Sequence, residues 1–565
     1  MYDIYQETWN TLTGPYAPFE VVDIEVRGSP MRVYKNAPPS LREIWLSSLV
    51  HAERDYLVYG DERWTYADAH SAVASIANWF ADQGIKPGDR VAISMRNYPE
   101  WLMIYWACVS TGVTAVGMNA WWVEDEMEYG LADAAPKALF CDEERLNRFL
   151  KIHDRFADLT TVGIRLKESR SDITEFADVL NTGGDLPDLC VDPDQDACIF
   201  YTSGTTGHPK GAQLTHRGCI HNIMNMGFGG QLALLTSCKM NNLDPPDPNQ
   251  ADPMNALVTT PLFHVAANNC LAHPVTSAGG KLVLMYRWDA AEALRLIEVE
   301  RITFLSGVPV MAREVINHSD FDKYDTSTLR SVSGGGAQVQ PDLVGRIDQA
   351  VETARPGTGY GMTETCGGIT SILGDFFVDK PESCGPAMPT FEAKVVDAEG
   401  KTLPQGESGE LWIRGASVIK GYINQEEATA ETITDGWLHT GDIARIDEHG
   451  FIYIVDRFKD MVLRGGENVY CSEVEAVLHK LDEIAECSVF GVEDDRLGEE
   501  VGVSIFLKPG TDISADAIRE FCLAHMARHK SPRYIWFSPE PLPRTATGKF
   551  LKRELRATLD VADAV

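Results

Sequence analysis

The sequence is poor in positive charge. Its 565 residues include 50 Lys and Arg against 83 Asp and Glu, which gives a formal net charge of −33. A surface this acidic repels the phosphates of nucleic acids and of anionic lipids. We therefore expect no nucleic acid and no membrane surface as a bulk partner, although a local basic patch for a small anionic ligand is compatible with this charge.

The sequence also has no pair of cysteines in C-x-x-C spacing among its 12 cysteines. That pattern argues against a structural zinc site and against a disulfide framework. The first residues, Met1-Tyr-Asp-Ile-Tyr-Gln-Glu, do not form a basic start followed by an apolar core, so no secretory signal is predicted. The last residues, Ala562-Asp-Ala-Val565, carry no peroxisomal or prenylation signal. These observations predict a reduced, cytoplasmic compartment.

One long uncharged run needs interpretation, because Trp101 to Trp122 meets the length rule for a membrane span. The run contains several polar and glycine residues, and acidic rather than basic residues flank it. The pattern favours a buried helix over about Trp101 to Ser110, a turn at Gly112 and a strand over Val113 to Gly117. We expect no transmembrane segment.

From Arg90 onward, short apolar strands alternate with amphipathic helices, as in Lys281 to Met285 followed by Asp289 to Glu300. This alternation is typical of α/β layers with largely parallel sheets. Beyond Gly385 the sequence indicates a smaller β-rich subdomain, and the last part of about 100 residues indicates an α+β unit. We predict a large N-terminal domain over residues 1–456 and a small C-terminal domain over 457–565.

The most informative segment is Tyr201-Thr-Ser-Gly-Thr-Thr-Gly-His-Pro-Lys-Gly211, which follows the apolar run Ala197 to Phe200. Backbone N–H groups of a Gly-rich turn and Ser or Thr hydroxyls together bind phosphate, and a lysine adds a point charge. A strand, this loop and a helix that opens near Thr215 therefore predict a phosphate site. The segment lacks the Walker spacing, because Pro209 stands where that pattern needs Gly.

Four more motifs follow in order: Tyr360-Gly-Met-Thr-Glu-Thr365, Trp437-Leu-His-Thr-Gly-Asp442, Asp456-Arg-Phe-Lys-Asp-Met-Val-Leu-Arg-Gly-Gly-Glu-Asn468 and Pro543-Arg-Thr-Ala-Thr-Gly-Lys549. Together with the loop after Tyr201 they resemble the signatures of the adenylate-forming superfamily, which includes acyl-CoA synthetases. The likeness runs from about Leu41 to about Leu555. It implies a large domain and a mobile C-terminal cap that turns between two half-reactions.

The resemblance implies a role for each motif. The nucleotide-binding set is Thr202, Ser203, Gly204, Thr205, Thr206, Gly207, Lys210, Gly334, Gly335, Gly336, Tyr360, Asp442 and Arg457. Within it, the loop holds the β- and γ-phosphates of ATP, Tyr360 stacks on adenine, and Asp442 with Arg457 binds the ribose. Thr363 bonds the α-phosphate and Glu364 holds Mg²⁺. Taken alone, several of these residues would be ordinary surface charges or core aromatics.

The cap residues follow from the same resemblance. Lys549 bridges the substrate carboxylate and the α-phosphate, Lys459 is the hinge, and Gly465 and Gly466 line the passage for the pantetheine of coenzyme A. His264 corresponds to an aromatic residue beside the acyl carboxylate; the competing interpretation is a satisfied core histidine.

The acyl pocket is assigned to Gly361, Phe228 and Val308. Gly361 stands where acetate-specific relatives carry Trp, and Gly227, Gly229 and Gly230 are expected to leave further room in the helix after Thr215. The chain departs from the commonest family pattern at Gly334-Gly-Gly-Ala-Gln338, where relatives often have Gly-Gly-Ala-Pro. This departure bears on substrate choice.

The resemblance therefore predicts an ATP-dependent acid–thiol ligase, an acyl-CoA synthetase acting on a medium, long or bulky apolar carboxylic acid. Two alternatives stay open: an adenylating enzyme that loads a carrier protein in trans, and a non-catalytic nucleotide sensor. A sensor would be expected to have lost Lys549, Glu364 or Asp442, and all three are present. Oxidation of the luciferase type is disfavoured, because Leu463 stands where that chemistry needs a second lysine. A homo-oligomer is left open.

Overall fold

The computed structural model describes residues 1–202, 208–247, 253–457, 460–464, 467–494, 496–545 and 550–565. They divide into two compact units, the first with residues 1–392 and 413–438 and the second with 393–412 and 439–565. This division groups 393–412 and 439–456 with the C-terminal part of the chain. The predicted boundary between residues 456 and 457 stays a prediction.

A seven-stranded sheet holds the first motif. Its strands, in spatial order, are Lys210–Thr215, Asp196–Thr202, Thr114–Gly117, Arg90–Ser94, Ala138–Asp142, Thr160–Ile164 and Thr174–Glu175. All neighbours pair in parallel except the first two, which are antiparallel. The inner parallel strands Thr114–Gly117, Arg90–Ser94 and Ala138–Asp142 are almost wholly buried, as expected for a sheet covered on both faces.

An eight-stranded sheet supplies the second group of motifs. Its strands, in spatial order, are Ile372–Leu373, Arg355–Thr358, Ser331–Gly334, Phe304–Gly307, Asn255–Val258, Lys281–Leu284, Asp55–Tyr59 and Glu62–Thr65. The inner strands are parallel and an antiparallel strand closes each edge. The predicted α/β fold with largely parallel sheets is confirmed.

The uncharged run after Trp101 forms a helix that packs between these two sheets. The helix Pro99–Ser110 is buried at all 12 positions and continues into the strand Thr114–Gly117. Its Trp106 stacks on Trp45 at a centroid distance of 5.3 Å and donates to the Tyr56 hydroxyl at 2.7 Å. The predicted buried helix and strand are confirmed. Among the residues described, no helix is long and apolar enough to cross a membrane.

The helices of the first unit, in chain order, are Tyr2–Thr13, Leu41–Ser48, Tyr66–Asp82, Pro99–Ser110, Glu124–Ala134, Glu143–Phe149, Phe176–Leu180, His216–Met240, Val265–Ala267, His273–Ser277, Ala290–Val299, Pro309–Ile316, Pro341–Ala350, Asp375–Asp379 and Glu426–Thr432. Short hairpins join Val21–Val26 to Ser29–Tyr34 and Gly361–Met362 to Gly367–Gly368. The long helix His216–Met240 begins where the Thr215 hydroxyl accepts from the Gly218 N–H, which confirms the predicted helix start.

The second unit is a smaller α+β body. One sheet has the order Glu467–Val469, Val462–Arg464, Gly498–Leu507 and Ile484–Asp494, with Tyr534–Ser538 parallel to Gly498–Leu507. The helices are Cys471–Leu478, Ala515–His525 and Lys552–Thr558. A six-stranded sheet has the order Gly385–Pro386, Phe451–Arg457, Trp437–Ile446, Gly409–Gly415 and Phe391–Val396, with Ile433–Thr434 beside Trp437–Ile446. The predicted small C-terminal domain is confirmed.

The structure corrects one expectation about the first motif. The loop after Thr202 does not lead directly into a helix, because Lys210–Thr215 is a strand that pairs antiparallel with Asp196–Thr202. Ala212 and Leu214 are fully buried there, while Lys210 and Gln213 are partly exposed. The segment has few β-branched or aromatic residues, so its sequence gave little indication of a strand.

A buried carboxylate anchors the edge of the eight-stranded sheet. Glu300, at the end of the helix Ala290–Val299, has a side chain only 5% exposed and pairs with Arg63 at 2.6 Å and Lys281 at 2.8 Å. Burial alone would raise the pKa of Glu300, but the hydrogen bonds from Arg63 and Lys281 outweigh it and hold that pKa below its ordinary value. The ionised form is therefore the one that stabilises the fold.

We predict that Glu300→Gln lowers the free energy of unfolding by about 1.5–3 kcal/mol at neutral pH, the usual worth of hydrogen bonds to a charged group. Because the folded pKa is lowered, the wild-type advantage is present above the ordinary carboxyl pKa and disappears as the pH falls below about 4. Thermal unfolding of the wild type and of Glu300→Gln at several pH values measures this difference in stability. Glu292→Gln, which breaks an exposed pair on the same helix, is the control with a small effect. Equal losses at neutral and acid pH would contradict the assignment.

Candidate functional site

The motif Tyr360 to Thr365 forms a tight turn at the edge of the eight-stranded sheet. Thr363 and Glu364 lie in a single 3₁₀ turn, Thr363–Thr365, and are 7% and 8% exposed. Cys366 then takes a positive φ of 55°, which is uncommon for a residue with a side chain. The Thr365 hydroxyl fixes this reversal by donating to the Gly367 carbonyl at 2.8 Å. Thr363 and Glu364 therefore lie on a backbone turn that this hydrogen bond holds in one conformation.

Tyr422 holds the Glu364 carboxylate. Its hydroxyl donates to Glu364 Oε1 at 2.8 Å, and the Ile419 N–H donates to the Glu364 carbonyl at 2.9 Å. Burial, followed by the negative charge of Glu364, raises the pKa of Tyr422 above its ordinary value, so the phenol stays protonated and can donate. Sequence reasoning missed Tyr422, because an isolated tyrosine 58 residues away from Glu364 carries no motif.

Lys210 lies beside the same tyrosine. Its Nζ is 5.0 Å from the centroid of the Tyr422 ring, within the range of a cation–π contact. Lys210 opposes Thr202 across the strand pair, so the two residues flank the loop between them. Ser203, Gly204, Thr205, Thr206 and Gly207 lie outside the described residues, and their predicted phosphate contacts stay predictions. Lys210 of the first motif and Glu364 of the second therefore both contact the side chain of Tyr422.

The glycines Gly334, Gly335 and Gly336 follow a strand end in the same sheet. Gly334 is held between neighbouring strands, where it opposes Gly307 and Thr358, and its carbonyl accepts from the Thr358 hydroxyl at 2.8 Å. A Cβ at Gly334 would lie 2.8 Å from Val339, whereas a Cβ at Gly335 would meet nothing within 4 Å. Gly336 has a φ of +75°. Gly335 therefore leaves open space beside the backbone, as the predicted purine approach needs.

Tyr360 is partly exposed at the end of the adjacent strand. Its N–H donates to the Thr370 hydroxyl at 2.9 Å, and its carbonyl accepts from the N–H groups of Ile369 and Thr370. The backbone of Tyr360 is therefore fixed by the segment that follows the Thr-Glu turn. Its predicted stacking on adenine stays a prediction.

His264 is partly buried and caps a short helix. Its Nδ1 accepts from the Ala266 N–H at 3.2 Å, at the start of Val265–Ala267. His264 is therefore not a fully buried core histidine, and its ring has a structural role as a helix cap. The cap fixes the orientation of the imidazole, and its predicted place beside an acyl carboxylate stays a prediction.

The three residues assigned to the acyl pocket differ in their surroundings. Phe228 is fully buried in the helix His216–Met240 and meets Trp9 at a ring distance of 4.7 Å. Val308 is 6% exposed and precedes the helix Pro309–Ile316. A Cβ at Gly361 would lie 2.1 Å from the Gly367 carbonyl. Gly361 is therefore required by the backbone of its own hairpin, and a side chain there would displace that backbone before it could fill a pocket.

The helix His216–Met240 also corrects the expectation about its three glycines. Gly227 and Gly230 are exposed, and a Cβ at Gly230 would meet nothing within 4 Å. Gly229 alone is buried, where a Cβ would lie 3.0 Å from Met388 and 3.3 Å from Ser371. The sequence could not distinguish the three positions, since they differ only in which helix face they occupy.

The second unit carries the pair predicted to hold a ribose. Asp442 and Arg457 oppose each other on neighbouring antiparallel strands, with Arg457 Nε 3.5 Å from Asp442 Oδ1. The Asp442 side chain is 9% exposed and the Arg457 side chain 59%. The Thr440 hydroxyl accepts from the Asp442 N–H at 3.1 Å and donates to the Leu411 carbonyl at 2.7 Å. The structure therefore brings together two residues that the sequence separates by 15 positions.

The remaining predicted cap residues, Lys459, Gly465, Gly466 and Lys549, lie outside the described residues. Their neighbours are placed. Arg464 opposes Glu467 on paired antiparallel strands, and Arg544 forms a β-bridge with Phe550. Asp456, directly before Arg457, is 8% exposed, and burial raises its pKa to about 6. The predicted roles of the four residues stay predictions.

Comparison with known proteins places the chain in a family. Residues 47–423 match the family model described as AMP-binding enzyme, and residues 473–549 match the model described as AMP-binding enzyme C-terminal domain. A feruloyl-CoA synthase of Amycolatopsis is 33% identical over 88% of this chain and 94% of its own. A mitochondrial medium-chain acyl-CoA ligase of Mus musculus is 32% identical over 90% of this chain and 85% of its own.

A solved structure agrees with these sequence relatives. The crystal structure of the anthranilate CoA ligase AuaEII in complex with anthranoyl-AMP has a TM-score of 0.82, with 26% identity over 92% of this chain and 97% of the neighbour. The predicted resemblance to adenylate-forming enzymes and the predicted class of acid–thiol ligase are confirmed: the chain belongs to the AMP-binding enzyme family.

Proposed function

We propose that this protein is an ATP-dependent acyl-CoA synthetase that converts a medium, long or bulky apolar carboxylic acid, ATP and coenzyme A to acyl-CoA, AMP and pyrophosphate through an acyl-adenylate. The observation that carries the proposal is the arrangement around Tyr422. The hydroxyl of Tyr422 donates to the buried carboxylate of Glu364, and the ring of the same tyrosine contacts the ammonium group of Lys210. A cytoplasmic location stays part of the proposal.

The chemistry explains why such a pair is needed. A carboxylate is a poor electrophile, because it offers an attacking thiol no good leaving group. Joining the carboxylate to AMP in an acyl-adenylate supplies that leaving group. The attack of a carboxylate oxygen on the α-phosphate brings anions together, so the enzyme has to supply cations and oriented donors. In this proposal Lys210, with Thr202 and the loop Ser203 to Gly207, binds the β- and γ-phosphates, and Thr363 donates to the α-phosphate.

Mg²⁺ fits the surroundings of Glu364. The ion commonly takes one or two protein carboxylates and completes its octahedron with water and substrate phosphates. Glu364 is one such carboxylate, and the Tyr422 hydrogen bond at 2.8 Å orients it in the way that metal-binding carboxylates are usually oriented. Bound Mg²⁺ would neutralise phosphate charge; the part of the protein itself is to keep Glu364 ionised and fixed in direction.

The other motifs would supply the remaining nucleotide contacts. Asp442 suits a bidentate grip on the ribose hydroxyls, and Arg457, 3.5 Å from the Asp442 carboxylate, shares that role. Tyr360 and the turn Gly334 to Gly336 would bind adenine. On the cap, Lys549 would act in adenylation, Lys459 would be the hinge, and Gly465 and Gly466 would admit the pantetheine arm to the thioester step.

The direct test is a panel of carboxylic acids assayed for AMP release with ATP, Mg²⁺ and coenzyme A. We expect acid-dependent AMP release that requires coenzyme A and an apolar acid. Acid-dependent ATP–pyrophosphate exchange without acyl-CoA formation would instead indicate transfer to a carrier protein. ATP binding without any exchange would indicate a sensor, and either result would overturn the proposal.

Lys549→Ala should separate the two half-reactions. Because Lys549 is assigned to the charge that develops in adenylation, we predict that acid-dependent ATP–pyrophosphate exchange falls by about 10² to 10³, roughly 3–4 kcal/mol. Acyl-CoA formation from pre-made acyl-adenylate should stay near the wild-type rate. The control is Lys552→Ala, which removes the partner of Glu475 at 3.0 Å and should weaken the second unit and both steps together. Equal loss of both steps in Lys549→Ala would contradict its assignment.

Glu364→Gln should produce a defect that depends on Mg²⁺. The amide keeps the size of the side chain and its contact with Tyr422 but removes the negative charge. We predict that adenylation falls by at least about 10²-fold at low Mg²⁺ and recovers in part at high Mg²⁺. The measurement is pyrophosphate exchange as a function of Mg²⁺ concentration. Full activity of Glu364→Gln at low Mg²⁺ would show that this carboxylate does not hold the ion.

Tyr422→Phe tests whether the hydroxyl positions Glu364. We predict that the Mg²⁺ concentration for half-maximal exchange rises about tenfold, as is usual when a partner of a metal ligand is removed, while the rate at saturating Mg²⁺ changes little. Tyr201→Phe is the matched control, because the Tyr201 hydroxyl donates to Asp133 at the same 2.8 Å away from Glu364. If both variants lost activity equally at every Mg²⁺ concentration, Tyr422 would be structural only.

A further inference from the structure

The helical segment that follows His264 contains a π turn. The segment runs through Val265–Ala267, Asn268–Ala272 and His273–Ser277. In its middle part the His273 N–H donates to the Asn268 carbonyl, five residues earlier in the chain. Such wide turns are rare inside helices and occur frequently at functional sites. This one carries two adjacent asparagines, Asn268 and Asn269, which are both fully buried. A buried amide is unfavourable unless it is hydrogen-bonded, so the partners of these side chains matter.

Asn269 reaches the turn that carries Glu364. Its Nδ2 donates to the Cys366 carbonyl at 3.0 Å, two residues after Glu364. Its Oδ1 accepts from Asn268 Nδ2 at 2.9 Å, and its backbone carbonyl accepts from Asn222 Nδ2 at 2.9 Å. The amide of Asn269 is therefore hydrogen-bonded through both its oxygen and its nitrogen, which sets the direction of the donor toward the Cys366 carbonyl.

Cys366 is a position at which the backbone needs support. It has a φ of 55°, a left-handed conformation that a residue with a side chain keeps only when its surroundings hold it. The next two residues are held as well. The Thr365 hydroxyl donates to the Gly367 carbonyl at 2.8 Å, and the Gly368 N–H donates to Asn222 Oδ1 at 2.9 Å. Side chains therefore fix three consecutive residues directly after the Thr-Glu turn.

The other end of this network lies in the buried helix Pro99–Ser110. Asn268 Nδ2 lies 3.3 Å from His273 Nε2, which in turn lies 2.9 Å from the Tyr105 hydroxyl. Burial lowers the pKa of His273 to about 3, so its ring is neutral near neutral pH. The network is therefore uncharged. Its hydrogen bonds supply a fixed direction, which apolar packing in the same core does not supply.

The same helical segment begins at His264, the residue predicted to lie beside the acyl carboxylate. Asn269 lies five residues later and joins the segment to Cys366. The predicted acid side and the predicted phosphate side of the site are therefore tied together by one amide. Adenylation requires a carboxylate oxygen to approach the α-phosphate in line, so the spacing between the two sides affects the rate more than it affects the binding of either substrate.

We propose that Asn269 is a positioning residue for adenylation. Through the Cys366 carbonyl it fixes the Thr-Glu turn, and through its helical segment it fixes that turn relative to His264. The groups that act on the nucleotide phosphates are thereby held at one spacing from the acyl carboxylate. This inference rests on the proposed acyl-CoA synthetase function and adds to it a residue that lies outside the five sequence motifs.

Asn269→Ala removes the donor to the Cys366 carbonyl. With the acid of the panel that gives the highest AMP release, we expect kcat for ATP–pyrophosphate exchange to fall by about 10²-fold, the effect of a displacement of about 1 Å in a reacting group. KM for ATP and for the acid should stay near the wild-type values, because binding common to ground state and transition state is kept. Acyl-CoA formation from the pre-made acyl-adenylate should also keep its rate, since the thiol attacks the acyl carbon and not the α-phosphate.

Asn225→Ala is the matched control, on the helix His216–Met240. Asn225 is 1% exposed, accepts from the Tyr34 hydroxyl at 2.7 Å and donates to the Thr390 hydroxyl at 2.9 Å. It is a buried asparagine with as many hydrogen-bonded groups in its side chain as Asn269, but it does not contact the Thr-Glu turn. Asn225→Ala should lower the temperature of thermal unfolding about as much as Asn269→Ala, while the folded enzyme keeps both half-reactions.

Asn222→Ala is a second variant of the same network. It removes the acceptor for the Gly368 N–H and the donor to the Asn269 carbonyl. We expect a selective loss of ATP–pyrophosphate exchange, as for Asn269→Ala, because the backbone after the Thr-Glu turn is released in both variants. If Asn269→Ala fails to fold, the comparison of Asn222→Ala with Asn225→Ala decides the question.

The outcomes separate the inference from the proposed function. Equal loss of both half-reactions in Asn269→Ala, or a loss of exchange no larger than in Asn225→Ala, would show that Asn269 only supports the fold and would overturn the inference. A raised KM with an unchanged kcat would also overturn it, because Asn269 would then contribute to binding and not to positioning. The absence of acid-dependent AMP release by the wild type with every acid would overturn the proposed function itself.

Discussion

The site depends on a buried carboxylate, Glu364, that its neighbours hold in one direction. Glu364 is 8% exposed, and burial of a charged group costs several kcal/mol unless hydrogen bonds or opposite charge compensate for it. The Tyr422 hydroxyl donates to this carboxylate, and the Thr365 hydroxyl fixes the backbone turn that carries it. Lys210 packs on the ring of the same tyrosine. Tyr422 therefore orients two groups of opposite charge, Glu364 and Lys210, and both act on nucleotide phosphates in the proposed reaction.

The two parallel sheets explain why these residues come from distant parts of the sequence. Functional residues of α/β proteins gather where strands end at their carboxyl edge. Thr202 ends one strand, Gly334 ends another, and the segment from Tyr360 follows a third. The helix Pro99–Ser110 packs between the sheets and is buried at all 12 positions. Its sequence is therefore mostly apolar all round, whereas a surface helix has one apolar face.

Much of the fold was predictable, because the strands are apolar, the helices begin at capping residues such as Thr215, and five motifs occur in the family order. Three features were not. The strand Lys210–Thr215 has few β-branched residues, Tyr422 carries no local pattern, and Gly227, Gly229 and Gly230 differ only in the face of the helix they occupy. The tyrosine and the glycines depend on contacts with segments that are distant in sequence, which periodicity and motif spacing do not encode.

The division of the chain into two units has a consequence for its synthesis. Residues 413–438 belong to the first unit, although 393–412 and everything after 438 belong to the second. A chain growing from its N-terminus cannot form the hydrogen bond between Tyr422 and Glu364 until the ribosome has also released a piece of the other unit. Domains usually fold in the order in which they emerge. Here the first unit has to wait, and a nascent chain that stops before residue 422 cannot form the hydrogen bond that orients Glu364 in the proposed nucleotide site.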